Sequence, residues 1–309
     1  IRKIANELGR SPSTISRELN REHAIYYRGI YIGSQTHNNV KKLWIENHKK
    51  QNSYLNQRNI SYFIESYLKY GYSPAIISHL LKDRFEVSIS HETLYKYIYS
   101  SKRKLFKYLL RRQFGRISKK RDKFIYRGTG KNIPNRIDID LRDKIANDRL
   151  EFGHFEADSV VSCVQRGKTK SCLTVLVERK TRYTTIRKTA SKTSKLTTIS
   201  ILKALKPYQN TIKSITYDNG CEFSQHEKIN KALNIKSYFC KPYHSWEKGT
   251  VENINGLIRR FFPKGTDFDT ISEEEIAYVE DWINNRPMKI LNYMTPNQKF
   301  QLYSVAIAS

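Results

Sequence analysis

Acidic residues are scarce in this sequence. Only 29 Asp and Glu stand against 56 Lys and Arg over 309 residues, a formal net charge of +27. That excess goes beyond what solubility requires and implies a polyanionic partner. Long apolar runs are missing too: no stretch approaches the ~18 residues of a membrane-spanning helix. No signal peptide precedes Ile1. The expectation is a soluble, cytoplasmic protein with no membrane partner, bound to nucleic acid. Ile1 is not Met and a helical pattern is already running there, so preceding residues are expected. Cysteine is sparse, and Cys163, Cys172, Cys221 and Cys240 form no C-x-x-C pair, which excludes a zinc ribbon and a disulfide framework. They are expected to be reduced thiols. The GTGK at 128–131 lacks the full G-x-x-x-x-G-K-[ST] pattern, which excludes a P-loop ATPase.

What is present begins with helices. Residues 1–19, IRKIANELGRSPSTISREL, space Ile1, Ile4, Ala5, Leu8, Ile15 and Leu19 as the inward stripes of two short helices broken at Gly9. Ser11 suits an N-cap, and Pro12 suits the first helical position, where its missing N–H is not needed. Ser13, Thr14, Ser16 and Arg17 then face outward near the start of the second helix, from which helix-turn-helix proteins read base edges. An ordinary helical hairpin would show the same pattern. A second unit at 72–99 repeats the Ser-Pro opening at Ser73-Pro74 and places Ser90 as a further cap. Its buried stripe is Ile76, Ile77, Leu80 and Leu81, with His91, Thr93 and Lys96 on the outer turns of the later helix. Two tandem units favour DNA binding over coincidence. Residues 20–71, rich in Tyr and Asn, resist assignment.

From 102 to 136 fourteen Lys or Arg face one acid, Asp122. Charges of one sign this dense repel unless a polyanion lies nearby, so Lys119, Lys120, Arg121 and their neighbours read as a linker that rides along phosphate. After residue 150 the character changes to β-rich runs at 154–161, 172–178, 183–188 and 214–217, with helices at 194–205 (Ile199, Leu202 and Leu205 inward) and 225–234. Hairpin strands followed by alternating strands and helices indicate an α/β domain.

Acids stand out in such a basic chain. In HFEADSVV a period of two places His154, Glu156 and Asp158 on one face. Unpaired buried carboxylates are costly, so these must meet water, a cation or a positive partner. A sheet-edge position would account for them without any function. Asp218 ends the apolar SITY and precedes Asn219-Gly220, a turn signal. Glu252 opens a helix beginning near Thr250, with Val251, Ile254, Ile258 and Phe261 inward and Asn255, Gly256 and Arg259 along the adjoining face. Near a helix N-terminus an acid is favourable anyway. A carboxylate within a strand, another at a strand end and a third at a helix start nevertheless form the hard-oxygen set that holds two magnesium ions over a phosphodiester.

Asp158, Asp218 and Glu252, with 33 residues between the last two, resemble the DDE catalytic set of transposases and retroviral integrases. GHFEAD, VERKTRY, YDNGCEF, KPYHSWEKGTVENINGLIRRFFPKGTDF and NNRPMKILNYMTP are similar, nearly throughout the chain, to the IS30 family of insertion-sequence transposases. Two departures occur: the family's Trp-Glu-Gly-Asp reads Phe155-Glu156-Ala157-Asp158, and its proline after Tyr-Ser reads Tyr243-His244-Ser245. The His-His-Cys-Cys zinc module of retroviral integrases is not visible. The resemblance implies helix-turn-helix regions at 1–60 and 61–101, a basic linker at 102–149, an RNase H-like catalytic domain of mixed sheet flanked by helices at 150–265, and a C-terminal helical extension at 266–309. It further implies cleavage at the ends of a mobile element and strand transfer into target double-stranded DNA, in a bacterial cell beside the nucleoid and by a homo-oligomer. Two Mg2+ ions, replaceable by Mn2+, would be held by Asp158, Asp218 and Glu252, with Asp158 shared and Glu156 as an auxiliary ligand. Lys248 and Arg259, flanking Glu252, would hold phosphates of the scissile strand or else form an ordinary solvent-exposed helix face, and Trp246 would stack on a base near the cut or else anchor its loop on the core. Two rival readings stay open: a DNA-binding regulator whose C-terminal domain only dimerises, and a nuclease that hydrolyses without joining.

Overall fold

The computed structural model describes residues 1–21, 24–109, 133–162, 171–241 and 244–308. The chain divides into two compact units, Ile1–Arg112 and Gln113–Ser309.

The first unit begins with α1 (Arg2–Glu7) and α2 (Pro12–Leu19). The Ser11 side chain accepts from the Thr14 N–H at 3.2 Å, and Gly9 makes the turn at φ +57°. Of the expected inward stripe on α1, only Ala5 is buried. Ile1, Ile4 and Leu8 are 54, 45 and 62% exposed, because this short helix packs chiefly on α2. A hairpin follows, β1 (Tyr26–Tyr27) and β2 (Ile30–Tyr31), reversing at Arg28-Gly29, both at positive φ as the tight hairpin turn demands. The stretch that resisted assignment is helical: α3 (Gly33–Asn56) and α4 (Arg58–Tyr70), the latter ended by Gly71 in the left-handed conformation. Ile60, Ile64 and Leu68 form its buried stripe, and they pack on α5 (Pro74–Phe85) and α6 (His91–Ser100) through Ile77, Leu81, Leu94 and Ile98.

The second unit is built on a five-stranded mixed sheet. After a short α7 (Lys144–Asn147) come β3 (His154–Val161), β4 (Cys172–Glu178), β5 (Thr184–Thr189), β6 (Ser214–Tyr217) and β7 (Lys236–Phe239), in the order β5-β4-β3-β6-β7. β3, β4 and β5 are antiparallel neighbours, whereas β3, β6 and β7 run parallel. β3 is therefore central, so an edge position does not account for its acids.

Helices α8 (Ser194–Leu205) and α9 (His226–Leu233) cover one face, where Phe155, Ala157, Ile215 and Tyr217 meet Ile201, Leu205 and Ile229. The inward stripe of α8 starts from Thr197 and runs through Ile201, Ala204 and Leu205, while Ile199 is exposed. A stripe headed by threonine is not an apolar signal, which is why periodicity places Ile199 wrongly. On the other face, Val160, Val175 and Ile186 pack against α10 (Gly249–Phe261) and α11 (Glu273–Asn284) through Val251, Ile254, Ile258 and Trp282. α12 (Pro296–Ala308) brings Phe300 back to the first face. The free edge of β5 is closed by side chains of α11: Asn284 takes the Thr184 N–H and gives to its carbonyl, and Glu280 takes the Ile186 N–H. Those groups would otherwise template pairing with another chain.

Candidate active site

The parallel register of β3 and β6 sets Glu156 opposite Thr216. Carried two residues on, it places Asp158, within β3, beside Asp218 just past the C-terminal end of β6, where open α/β sheets bind their ligands. The Asp218 carboxylate is fixed by its own turn, accepting from the Gly220 N–H at 3.0 Å. A Cβ on Gly220 would lie 2.4 Å from the Glu222 carboxylate, so a larger residue there would require that side chain to move. Glu222 is itself buried and paired with Lys192 at 2.8 Å.

Both aspartates converge on one cation. Lys248 Nζ lies 3.3 Å from Asp158 Oδ1 and 3.4 Å from Asp218 Oδ2, and it donates to the Ala157 carbonyl at 3.2 Å. Lys248, read as a phosphate contact or as part of a solvent-exposed helix face, is instead 4% exposed. Burial works against its charge, but Asp158 and then Asp218 outweigh that and hold the ammonium above the ordinary lysine range.

Lys248, Glu252, Asn255 and Arg259 follow at intervals of four, three and four, which on a helix is one stripe. Three of them reach β3: Lys248 as above, Asn255 through an N–H to Asp158 Oδ2 at 2.8 Å, and Arg259 through Nη2 to the Val161 carbonyl at 2.6 Å. Glu252 sits between them, exposed in the first turn of α10. Among the described residues no three His, Cys, Asp or Glu side chains are already gathered as a metal site. The protein brings two of the three acids onto a common cation and places the third on the adjoining helix stripe.

Glu156, expected as an auxiliary ligand, is fully buried and committed elsewhere. Its Oε1 pairs with Arg179 at 2.5 Å and its Oε2 accepts from the Val251 N–H at 2.9 Å. Arg259 is half-buried over the Phe268 ring at 5.5 Å, and burial lowers its pKa. It lines a cleft of about 820 Å³ together with Ser159, Asn255, Arg260 and Lys264, adjoining Asp158. The Trp246 side chain lies outside the description.

In the first unit Ser13, Thr14 and Arg17 are exposed on α2, though both hydroxyls also meet Ser11 Oγ, at 2.9 and 2.8 Å. His91 and Lys96 are exposed on α6, whereas Thr93 is half-buried and its hydroxyl meets Ser90 Oγ at 2.9 Å as part of the cap. Lys119, Lys120 and Arg121 lie outside the described residues. Sequence reasoning missed the buried arginines Arg142, Arg179 and Arg182. The last two stand in VERKTRY, and their signal was a pair of cations directly following an apolar strand.

Comparison with known proteins assigns the two units to families. The Integrase core domain model matches residues 148–245, which include Asp158 and Asp218, and a Helix-turn-helix domain model matches residues 1–22. Fold and site thus define a DNA-binding polynucleotidyl transferase with an integrase-like core. The chain is 38% identical to the transposase for insertion sequence element IS4351 of Bacteroides fragilis, over 99% of this chain and 92% of that one. It is 34% identical to the transposase InsI for insertion sequence element IS30C of Escherichia coli K12, over 96% of this chain and 78% of that one. The chain belongs to the IS30 family of transposases. Among solved structures, the catalytic core domain of BIV integrase overlays with a TM-score of 0.40 at 18% identity, covering 51% of this chain and 99% of that one. Among the described residues no helix is long and apolar enough to cross a membrane.

Proposed function

We propose that Asp158, Asp218 and Glu252 are the catalytic carboxylates of a transposase that binds the terminal inverted repeats of its element, cleaves there and joins the freed 3′ end to target DNA. The observation that carries this is the meeting of Asp158 and Asp218 on Lys248, with Glu252 on the same stripe of α10. Two carboxylates side by side on neighbouring strands repel unless a cation offsets them. Lys248 supplies one such charge, and the donor set, carboxylate oxygens throughout, suits Mg2+ or Mn2+.

Two such ions, bound by Asp158, Asp218 and Glu252, would lower the pKa of the attacking water or 3′ hydroxyl and stabilise the leaving oxygen. The residues of the chain do the rest. Asn255 holds Asp158 in one rotamer, the Gly220 N–H holds Asp218, and Arg259, Arg260 and Lys264 line the adjoining cleft with positive charge suited to the phosphates of a DNA strand. Ser13, Thr14 and Arg17 on α2, with His91 and Lys96 on α6, are the proposed end-reading residues; Thr93 supports them through its cap. Lys119, Lys120 and Arg121 are proposed to hold DNA without regard to sequence. The active form is proposed to be a homo-oligomer on paired ends, working beside the nucleoid in the bacterial cytoplasm.

The test is a strand-transfer assay on DNA carrying the element's terminal repeats, run with Mg2+, Mn2+ or chelator. Joined products in either metal and none in chelator support the proposal. Hydrolysis without joining supports the nuclease reading instead.

A further inference from the structure

Two residues before each proposed catalytic carboxylate stands a residue tied to one cluster of arginines. Glu156 precedes Asp158 and pairs with Arg179 Nη1 at 2.5 Å. Thr216 precedes Asp218 and accepts from Arg142 Nη1 at 2.9 Å. Thr250 precedes Glu252 and accepts from Arg182 Nη1 at 2.6 Å and Arg149 Nη2 at 3.2 Å. On a strand, two residues is the repeat of one face, so Glu156 and Thr216 share the faces of Asp158 and Asp218. At the start of α10 it is a step within the first turn.

Arg142 and Arg179 are also joined to each other through Asn147. Arg179 Nη2 donates to the Asn147 carbonyl and Arg142 Nε to the Asn147 side chain at 2.7 Å, while Glu156 links Arg179 to the Val251 N–H. Arg142, Arg179 and Arg182 are buried, at 7, 3 and 8% exposure. Among the described residues, none of them bonds to Asp158, Asp218 or Glu252. As a stabilising device such a cluster is poor, since buried ion groups lose more hydration than they regain and apolar side chains would pack as well. Burial first, then the neighbouring guanidinium, lowers Arg142 and Arg182 to about 10. What the cluster offers is reach: one set of rigid, forked donors touches all three elements that carry the acids.

We infer that Arg142, Arg179 and Arg182 are positioning residues, a brace that sets β3, the end of β6 and the start of α10 relative to one another. This rests on the catalytic reading above. A misplacement well under 1 Å at such a site is enough to weaken both ion binding and chemistry.

The experiment compares Thr250→Val with Thr250→Ser, and Thr216→Val with Thr216→Ser, in the full chain. It reads Mn2+ binding by calorimetry, thermal unfolding, terminal-repeat binding by gel shift, and strand transfer. Each Val variant should lose about 10- to 100-fold in Mn2+ affinity and in strand transfer, as supporting groups of metal sites do, while end binding and cooperative unfolding persist. Each Ser variant, which keeps the acceptor, should recover both. Val variants that unfold normally and keep Mn2+ affinity and strand transfer overturn the brace. So do Val variants that lose cooperative unfolding and are not recovered by Ser, because the contacts then serve folding alone. Asp218→Asn runs alongside: if it retains strand transfer, the catalytic reading itself has failed; if it is inactive while the Val variants are active, only the brace has.

Discussion

Glu156 Oε2 accepts the Val251 N–H at 2.9 Å, so an acid in the central strand caps the helix that carries Glu252. The first N–H groups of a helix have no partner within it, and a carboxylate there also meets the positive end of the helix dipole. The same carboxylate pairs with Arg179. Its place on the face of Asp158 thus serves the approach of α10 rather than an ion.

Glu156→Gln removes one partner of a fully buried ion pair and leaves Arg179 uncompensated. Urea unfolding should show a loss of about 3–5 kcal/mol. A variant as stable as the parent would show that the pair does not hold α10 in place.

Lys248→Met leaves Asp158 and Asp218 adjacent without their common cation. The melting temperature in chelator should fall, and added Mg2+ should raise it more than it raises that of the parent, because the two acids regain a positive partner. Differential scanning calorimetry with and without Mg2+ reads both. Equal melting in chelator would contradict the role given to Lys248.

His154 introduces a pH dependence. Its ring meets Ser214 Oγ at 2.7 Å and Glu151 at 2.9 Å, and burial lowers its pKa despite the Glu151 carboxylate. A histidine lowered in the folded state binds fewer protons there than when unfolded, so its contribution is complete above the ordinary value near 6.5 and is lost as pH falls below it. Stability should therefore decline between about pH 6.5 and 5, and His154→Gln should flatten that slope. A parent protein equally stable at both ends of this range would contradict it.

How much of this was legible in the sequence depends on the range of the interactions. β3, β4 and β6 match the expected runs residue for residue, because alternation and flanking turn residues are local signals. β7, KSYF, opens on an exposed lysine and has no aliphatic residue to mark it as a strand. α4 was hidden because Tyr62, Phe63 and Tyr67 blur its Ile60, Ile64, Leu68 stripe. The placement of the three acids, one within a strand, one at a strand end and one at a helix start, was legible in the sequence and motivated the proposed site. What no spacing could reveal is that Lys248 turns inward to two of them, or that Glu156 answers an arginine 23 residues away. Both depend on contacts that exist only after the sheet and α10 have packed.

DNA recognition should separate into two kinds of contact. Arg17→Ala on α2 should weaken binding to terminal repeats by about 1–3 kcal/mol and reduce their preference over random duplex. Neutralising Lys119, Lys120 and Arg121 should weaken all duplexes alike and flatten the salt dependence. Gel shifts over a range of salt read both. Loss of preference from the linker change, with Arg17→Ala silent, would reverse the assignment.

The central claim is that Asp218 works together with Asp158 and Glu252, and strand transfer by Asp218→Asn on terminal-repeat DNA in Mg2+ tests it most directly. Asparagine keeps the shape of the side chain and its bond from the Gly220 N–H but removes the charge. Strand transfer should fall by orders of magnitude, on the order of 10³ or more, while gel shifts show unchanged end binding. Near-normal strand transfer by this variant would contradict the account.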